Sequence, residues 1–421
     1  MLERLRLESG VRVVLDPVPD RRSVAVGMFV AGGSRLDPAG QSGLAHYLEH
    51  AVFRGANGRS GRDMNRAVDE RGGAWNGYTD KELTWFVCDA LAEDVAFAVD
   101  LLSDIVLAPD FPPDLCEREL EVVQAEAEEA ADDGEERVHD LLDAALWPRS
   151  PYARPVVGLE EEVARLTVAD LRAHHARTFR PERTCAVVSG AFDPAAVRAH
   201  LAARLGGWRA TGAGATPPPT APGLVARTAQ SAHLSQVHLC LAVPGPTRTD
   251  PRLMAAHVLA EALGGGPASR LFERLRDDHA LAYTVYAEVQ PYTDRGFTGA
   301  YVAVAPELLD EAAALLASEL SRLGRDGLER AEVERAKAAL RGAWLMDEES
   351  VAARMHRLGE EELLAGGARP MEAWLERLAA VEAEEVNALA RALWPPGAAA
   401  RWVALGPLAP GWRPRAHLRA V

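Results

Sequence analysis

Two histidines and a glutamate carry the chemistry this chain spells out most plainly. The stretch Leu44-Ala45-His46-Tyr47-Leu48-Glu49-His50 places His46 and His50 four residues apart, and on a helix such residues share a face. Both imidazoles can therefore turn to one ion. Glu49, three residues after His46, comes near enough to reach a water held there. Two imidazoles with one further carboxylate leave a zinc position open for water, which separates catalytic from structural zinc. The order H-x-x-E-H reverses H-E-x-x-H and is the inverted pattern of zinc peptidases. One zinc per chain is the cofactor expected, on ligand type.

A two-histidine site needs a third protein ligand. The charged helix predicted after Pro112-Pro113 offers Glu117, Glu119, Glu121, Glu126, Glu128 and Glu129. Its apolar stripe (Leu120, Val122, Val123 and Ala127) puts some of these carboxylates at the border of a buried face. Glu119 and Glu126, two turns apart, lie on one side of it. Periodicity does not choose between them.

The elements that must position these groups follow from the pattern of apolar residues. Strands are expected at 4–7, 11–16 and 23–31, the last a β-branched run fit for burial. The helix with the histidines starts near Gly43, and a second covers 61–71 and stops at Gly72-Gly73. Strands at 74–79 and 82–88 precede a helix at 92–106 and the charged helix at 114–131. Helices at 135–147 and 161–178, a strand at 184–189 and a helix at 194–205 complete a first α+β unit.

After the Gly/Pro/Thr-rich stretch 211–223 (TGAGATPPPTAPG), read as a linker, the pattern restarts. A strand at 236–243, helices at 252–263 and 269–276, strands at 282–290 and 296–304, helices at 306–323 and 330–345, and a strand at 400–405 repeat the order. The spacing is roughly 210 residues, which marks a duplicated fold. The expected domains are 1–210, holding the metal, and 224–421. The second copy keeps only His257 and Glu261 at helix spacing, so it cannot present the same two-histidine face.

The 421 residues exceed one ordinary core. A net charge of −16 argues against nucleic acid, whose phosphates call for a basic face. No apolar run reaches the length of a membrane span, and the start of the chain has no signal-peptide core. Cys88, Cys116, Cys185 and Cys240 form no CxxC pair, which fits reduced thiols and a cytoplasmic address.

Four stretches together give the chain a family likeness: GSR at 33–35, GLAHYLEHAVFRG at 43–55, GGAWNGYT at 72–79 and ERELEVVQAE at 117–126. With LGGGPASRLFERLRDDHALAYTVYAEV at 263–289, they resemble the M16 zinc peptidases, the group of pitrilysin, insulin-degrading enzyme and mitochondrial processing peptidase. The resemblance implies Glu126 as third ligand, Glu119 as a site-shaping acid, and Arg276 and Tyr283 as a pair that binds substrate. It implies that 74–79 is an edge strand pairing with peptide backbone, with Asn76 the matching polar residue and Trp75 and Tyr78 as candidate walls. The family more often has Ala where Gly77 stands. Two related α+β halves, each internally duplicated, would enclose a chamber. The length matches the two-domain M16B branch, whose members pair two chains. The expected activity is cleavage of short or unfolded peptides by a homodimer. The alternatives are a heterodimer with a related chain, a non-catalytic assembly subunit and a dedicated precursor-processing peptidase.

Overall fold

Ser23–Ala31 (SVAVGMFVA) buries every residue between its two ends, the pattern of a strand covered on both faces. The computed structural model describes residues 2–210, 212–216, 227–231, 233–395, 401–409 and 412. In chain order the first half gives β1 (Glu3–Arg6), β2 (Arg12–Pro17), β3 (Ser23–Ala31), α1 (Leu44–Val52), β4 (Gly55–Ala56), β5 (Arg59–Ser60), α2 (Gly61–Asp69), β6 (Ala74–Thr79) and β7 (Leu83–Leu91). Then come α3 (Val95–Leu107), α4 (Pro113–Asp132), α5 (Gly134–Leu146), α6 (Glu160–Val163), α7 (Val168–Thr178), β8 (Thr184–Gly190) and α8 (Pro194–Leu205). The second half gives β9 (Arg227–Gln230), β10 (Val237–Pro244), α9 (Leu253–Gly264), a π-helical turn at Phe272–Asp278, β11 (Ala282–Pro291) and β12 (Gly296–Val304). It ends with α10 (Leu309–Asp326), α11 (Arg330–Asp347), α12 (Val351–Leu364), α13 (Met371–Ala380), α14 (Ala383–Leu393) and β13 (Arg401–Gly406).

The larger sheet has the order β1-β2-β8-β3-β7-β6, the smaller β11-β12-β10-β13-β9. Each has a buried central strand, β3 or β10, antiparallel to both its neighbours. Each also contains one parallel pair, β2 with β8 and β13 with β9. The fold is therefore α+β and duplicated, and β6 and β11 are the matching edge strands.

Two compact units result, one of Met1–Glu128, Arg154–Pro219 and Met346–Pro370, the other of Glu129–Ala153, Thr220–Leu345 and Met371–Val421. The sheets fall on either side of the expected 211–223 linker, of which 211 and 217–223 lie outside the described residues. Two helices do not keep to that division. In the first unit α12, from the second half of the chain, covers one sheet face with Met355 and Leu358 against Val14, Phe29 and Val187. In the second unit α5, from the first half, covers the smaller sheet with Val138, Leu142 and Leu146 against Cys240, Tyr301 and Val403. The opposite faces carry the larger cores. In the first unit Val26, Met28 and Phe86 meet Tyr47, Leu48, Leu101 and Leu102 from α1 and α3.

Local expectations change at several places, and the short strands β4, β5 and β9 have no counterpart among the expected elements. The helix expected at 161–178 is broken between α6 and α7, where Thr167 and Asp170 form a capping box that starts α7 afresh. The helix expected at 269–276 is the π-helical turn at Phe272–Asp278. The stretch holding α12, α13 and α14 has no counterpart among the expected elements, although Ser350 caps α12 through the Ala353 N–H. Among the described residues no helix is long and apolar enough to cross a membrane.

Candidate metal centre

α1 carries three polar groups on a helix that is otherwise buried: Leu44, Ala45, Tyr47, Leu48, Ala51 and Val52 all face the core. Its orientation toward α4 is pinned by the Tyr47 hydroxyl, which donates to the Cys116 carbonyl at 2.8 Å. That bond leaves His46 and His50 opposite the face of α4 that holds Glu119 and Glu126.

Among the described residues His46, His50 and Glu126 form the one group of three arranged to hold a metal ion. The Nε2 atoms of His46 and His50 are 3.2 Å apart. Glu126 Oε2 lies 3.5 Å from His46 Nε2 and 3.3 Å from His50 Nε2. A tetrahedron with metal–ligand bonds of 2.0–2.1 Å has edges of about 3.4 Å. The three donor atoms thus span one face of a zinc-sized tetrahedron, and the donor set fits zinc.

The two carboxylates of α4 divide their tasks. Glu126 Oε2 approaches both Nε2 atoms, whereas Glu119 Oε1 lies 2.9 Å from His50 Nδ1. The Nδ1–H donating to Glu119 leaves Nε2 free to ligate, the usual arrangement behind a metal-binding imidazole. Glu119 is buried, and Arg54 holds it at 3.0 Å through Nε and 3.1 Å through Nη2. Burial pulls the His50 pKa down, but the Glu119 hydrogen bond and the charges of Glu49 and Glu126 outweigh it and raise it overall. His46 has no such partner: burial, then the neighbouring His50, lowers it to about 4.

Glu49 is 8% exposed, and burial pushes its carboxyl up to about 7 against the pull of His50 and a hydrogen bond from Thr79. Both Thr79 and Gly77 belong to β6. A Cβ on Gly77 would stand 2.9 Å from Glu49 Cγ and 2.8 Å from Phe53 Cε2, so the bare glycine lets the strand backbone approach the acid closely.

Alternation along β6 sorts the other expected residues. Trp75 shares the Gly77 and Thr79 face, with its ring 4.6 Å from Phe53 and Nε1 donating to Asn65 Oδ1 at 2.9 Å. Asn76 is exposed on the other face, accepting from the Gly77 N–H. Tyr78, on that same face, stacks on Trp85 with centroids 5.2 Å apart. Of the two aromatic wall candidates, Trp75 lies on the Glu49 side and Tyr78 does not.

Arg276 and Tyr283 belong to the second unit and touch each other there. The Arg276 guanidinium lies 4.6 Å from the rings of both Phe272 and Tyr283, and donates to the Tyr283 carbonyl at 3.1 Å. Tyr283 occupies the bulge between Ala282 and Thr284, where β11 slips register against β12, and is 77% exposed. The bulge turns its ring out of the sheet.

Sequence reasoning passed over Arg54, Thr79 and Asp37, which accepts from the first-turn amides of α1. Each lies in or beside a motif quoted above, but nothing in the spacing assigns it a partner.

Residues 12–159 match the family model described as Insulinase (Peptidase family M16), and residues 165–340 the model described as Peptidase M16 inactive domain. An uncharacterized zinc protease of Mycobacterium tuberculosis is 37% identical over 394 residues, covering 93% of this chain and 90% of that protein. The uncharacterized zinc protease YmxG of Bacillus subtilis is 31% identical over 400 residues, covering 94% and 96%. A protease from Helicobacter pylori has a solved structure that superposes with a TM-score of 0.88 at 18% identity, covering 97% of this chain and 99% of that one. The last likeness is one of fold.

Proposed function

The chain belongs to peptidase family M16, with relatives named as zinc proteases, and we propose that it is a zinc endopeptidase of the inverted H-x-x-E-H type. The observation that carries this reading is the trio His46, His50 and Glu126, whose donor atoms lie 3.2–3.5 Å apart, with Glu49 beside them. These three residues would hold the ion. Zinc, when bound there, supplies a Lewis acid for the scissile carbonyl and lowers the pKa of water.

The chain's own groups do the rest. Glu49 takes the proton of the attacking water on its carboxylate and returns it to the leaving amine. One buried carboxyl beside the trio can serve both directions of transfer. Glu119 holds His50 in the tautomer that ligates through Nε2. β6 is an edge strand, so an extended peptide can add to it backbone to backbone, with Gly77 and Thr79 bringing that backbone next to Glu49. Such pairing reads side chains weakly and favours short or unfolded peptides. Arg276 and Tyr283 are assigned to the substrate carbonyl, a cation and a phenol suited to an oxyanion. The complete enzyme is a homodimer whose paired chains form the chamber.

The test is cleavage of a quenched-fluorescence peptide by the purified chain, with zinc content and particle size measured in parallel. Glu49→Gln is expected to keep zinc and lose about 100- to 10,000-fold in turnover, while His50→Ala loses both. A Glu49→Gln protein with normal turnover overturns the assignment. Zinc bound but no cleavage by the wild type would favour a partner-dependent or scaffold subunit.

A further inference from the structure

Gly43 precedes α1 with φ 85° and no side chain to cap it. The first turn is capped from six residues upstream instead. Asp37, buried, accepts the Gly43 N–H on Oδ2 and the Ala45 N–H on Oδ1, both at 2.9 Å. Both oxygens accept, which is the geometry of a carboxylate at a helix N-terminus. Asp37 is itself clamped: the Arg154 guanidinium donates to the Asp37 and Pro38 carbonyls at 2.8 Å each. Ser42, next in line, is tied by its N–H to Glu162 Oε2 at 2.8 Å and by its hydroxyl to the Leu159 N–H at 2.9 Å.

α1 has nine residues, fewer than the about 12–15 that an isolated helix needs in water. Its first turn is held by these contacts together with the burial of Leu44 and Tyr47. His46 lies inside that turn, next to the cap, and His50 one turn further from it; Leu44 and Tyr47 in the first turn and Leu48 and Ala51 beyond it share one core. Loss of the cap should loosen one imidazole more than the other, and a shared ion needs both.

We propose that Asp37 is a positioning residue of the metal centre, fixing the first turn of α1 and with it the place of His46 relative to His50 and Glu126. The inference rests on the zinc reading above. It goes beyond stability, because a cap that only stabilised the fold would leave the zinc affinity of the folded chain unchanged.

The experiment is chelator competition for zinc with the full chain, in wild type, Asp37→Ala, Asp37→Asn and Asp193→Ala. Asp193 caps α8 through the Ala195 and Ala196 amides, on a helix that carries no residue of the metal centre. Asp37→Ala is expected to weaken zinc binding by about 10-fold or more, and Asp37→Asn, which keeps one acceptor, by less. Asp193→Ala should lower Tm and leave zinc affinity unchanged. Amide hydrogen exchange should quicken at residues 44–47 in Asp37→Asn and stay unchanged in α8. If Asp37→Ala does not fold, Asp37→Asn decides. A folded Asp37→Asn protein that binds zinc as tightly as wild type overturns the inference alone. A wild type that binds no zinc overturns the metal reading, and this inference with it.

Discussion

Glu119 touches His50 on the nitrogen that cannot ligate, so its contribution runs through orientation. Removing a partner of this kind costs roughly 10–100-fold in metal affinity. Glu119→Ala is expected to fall in that range by chelator competition, with His50 still in place. Arg54 grips the same carboxylate from the other side, and Arg54→Ala should move zinc affinity in the same direction by a smaller factor. Equal affinity in wild type and Glu119→Ala would mean that His50 is oriented by packing alone.

At the scale of elements, α12 meets β3 through two glycines. Gly27 faces Met355, and a Cβ on Gly359 would stand 2.3 Å from the Phe29 ring. That ring is stacked on Trp85 at 6.3 Å, so it has little room to yield. Gly359→Ala improves helix propensity by about 1 kcal/mol, yet overpacking of this kind costs about 1–3 kcal/mol. The net expectation is a lower midpoint in urea unfolding; a higher one would show that Phe29 can move.

In the second unit β11 presents Glu288 to His139, 3.4 Å away. Burial, with Asp143 and Glu135 adding to it, raises the Glu288 carboxyl to about 8, against about 4.3 in an unfolded chain. Between those values the folded state binds the extra proton. This contribution is therefore fully present below about pH 4 and is lost as pH rises through 8. At face value the gap is about 5 kcal/mol, an upper bound because Glu288 keeps 24% of its side chain in solvent. Glu288→Gln should match wild type in Tm near pH 4 and exceed it at pH 9. Parallel curves across that range would place the proton elsewhere.

For the whole molecule the exchanged helices matter most. A fragment ending at residue 210 has the larger sheet but lacks α12. Val14, Phe29 and Val187 would then lose their contacts with Met355 and Leu358, all of them nearly inaccessible in the full chain. Exposing several such side chains at about 1.5–3 kcal/mol each approaches the 5–15 kcal/mol that holds a domain together. The fragment is expected to bind a hydrophobic dye and melt without a cooperative transition. A sharp calorimetric transition from residues 1–210 alone would contradict that.

Much of this protein is written locally. His46, Glu49 and His50 lie within one and a half helical turns, so their common face follows from α-helical geometry alone. The β-branched run of β3 likewise announces a strand, and the recurrence of the element order after 211–223 announces the duplication. Spacing did not settle Glu119 against Glu126, because residues seven apart lie on one side of a helix. The choice belongs to the angle at which α4 passes α1, and the observed packing brings Glu126 to Nε2 and Glu119 to Nδ1. The exchange of α5 and α12 and the capping of α1 by Asp37 were equally hidden. Local pattern says that a helix has an apolar stripe, or that a carboxylate needs donors. It does not say which distant surface covers the stripe or which amides satisfy the oxygens, since those partners meet only when the sheets and helices close their shared cores.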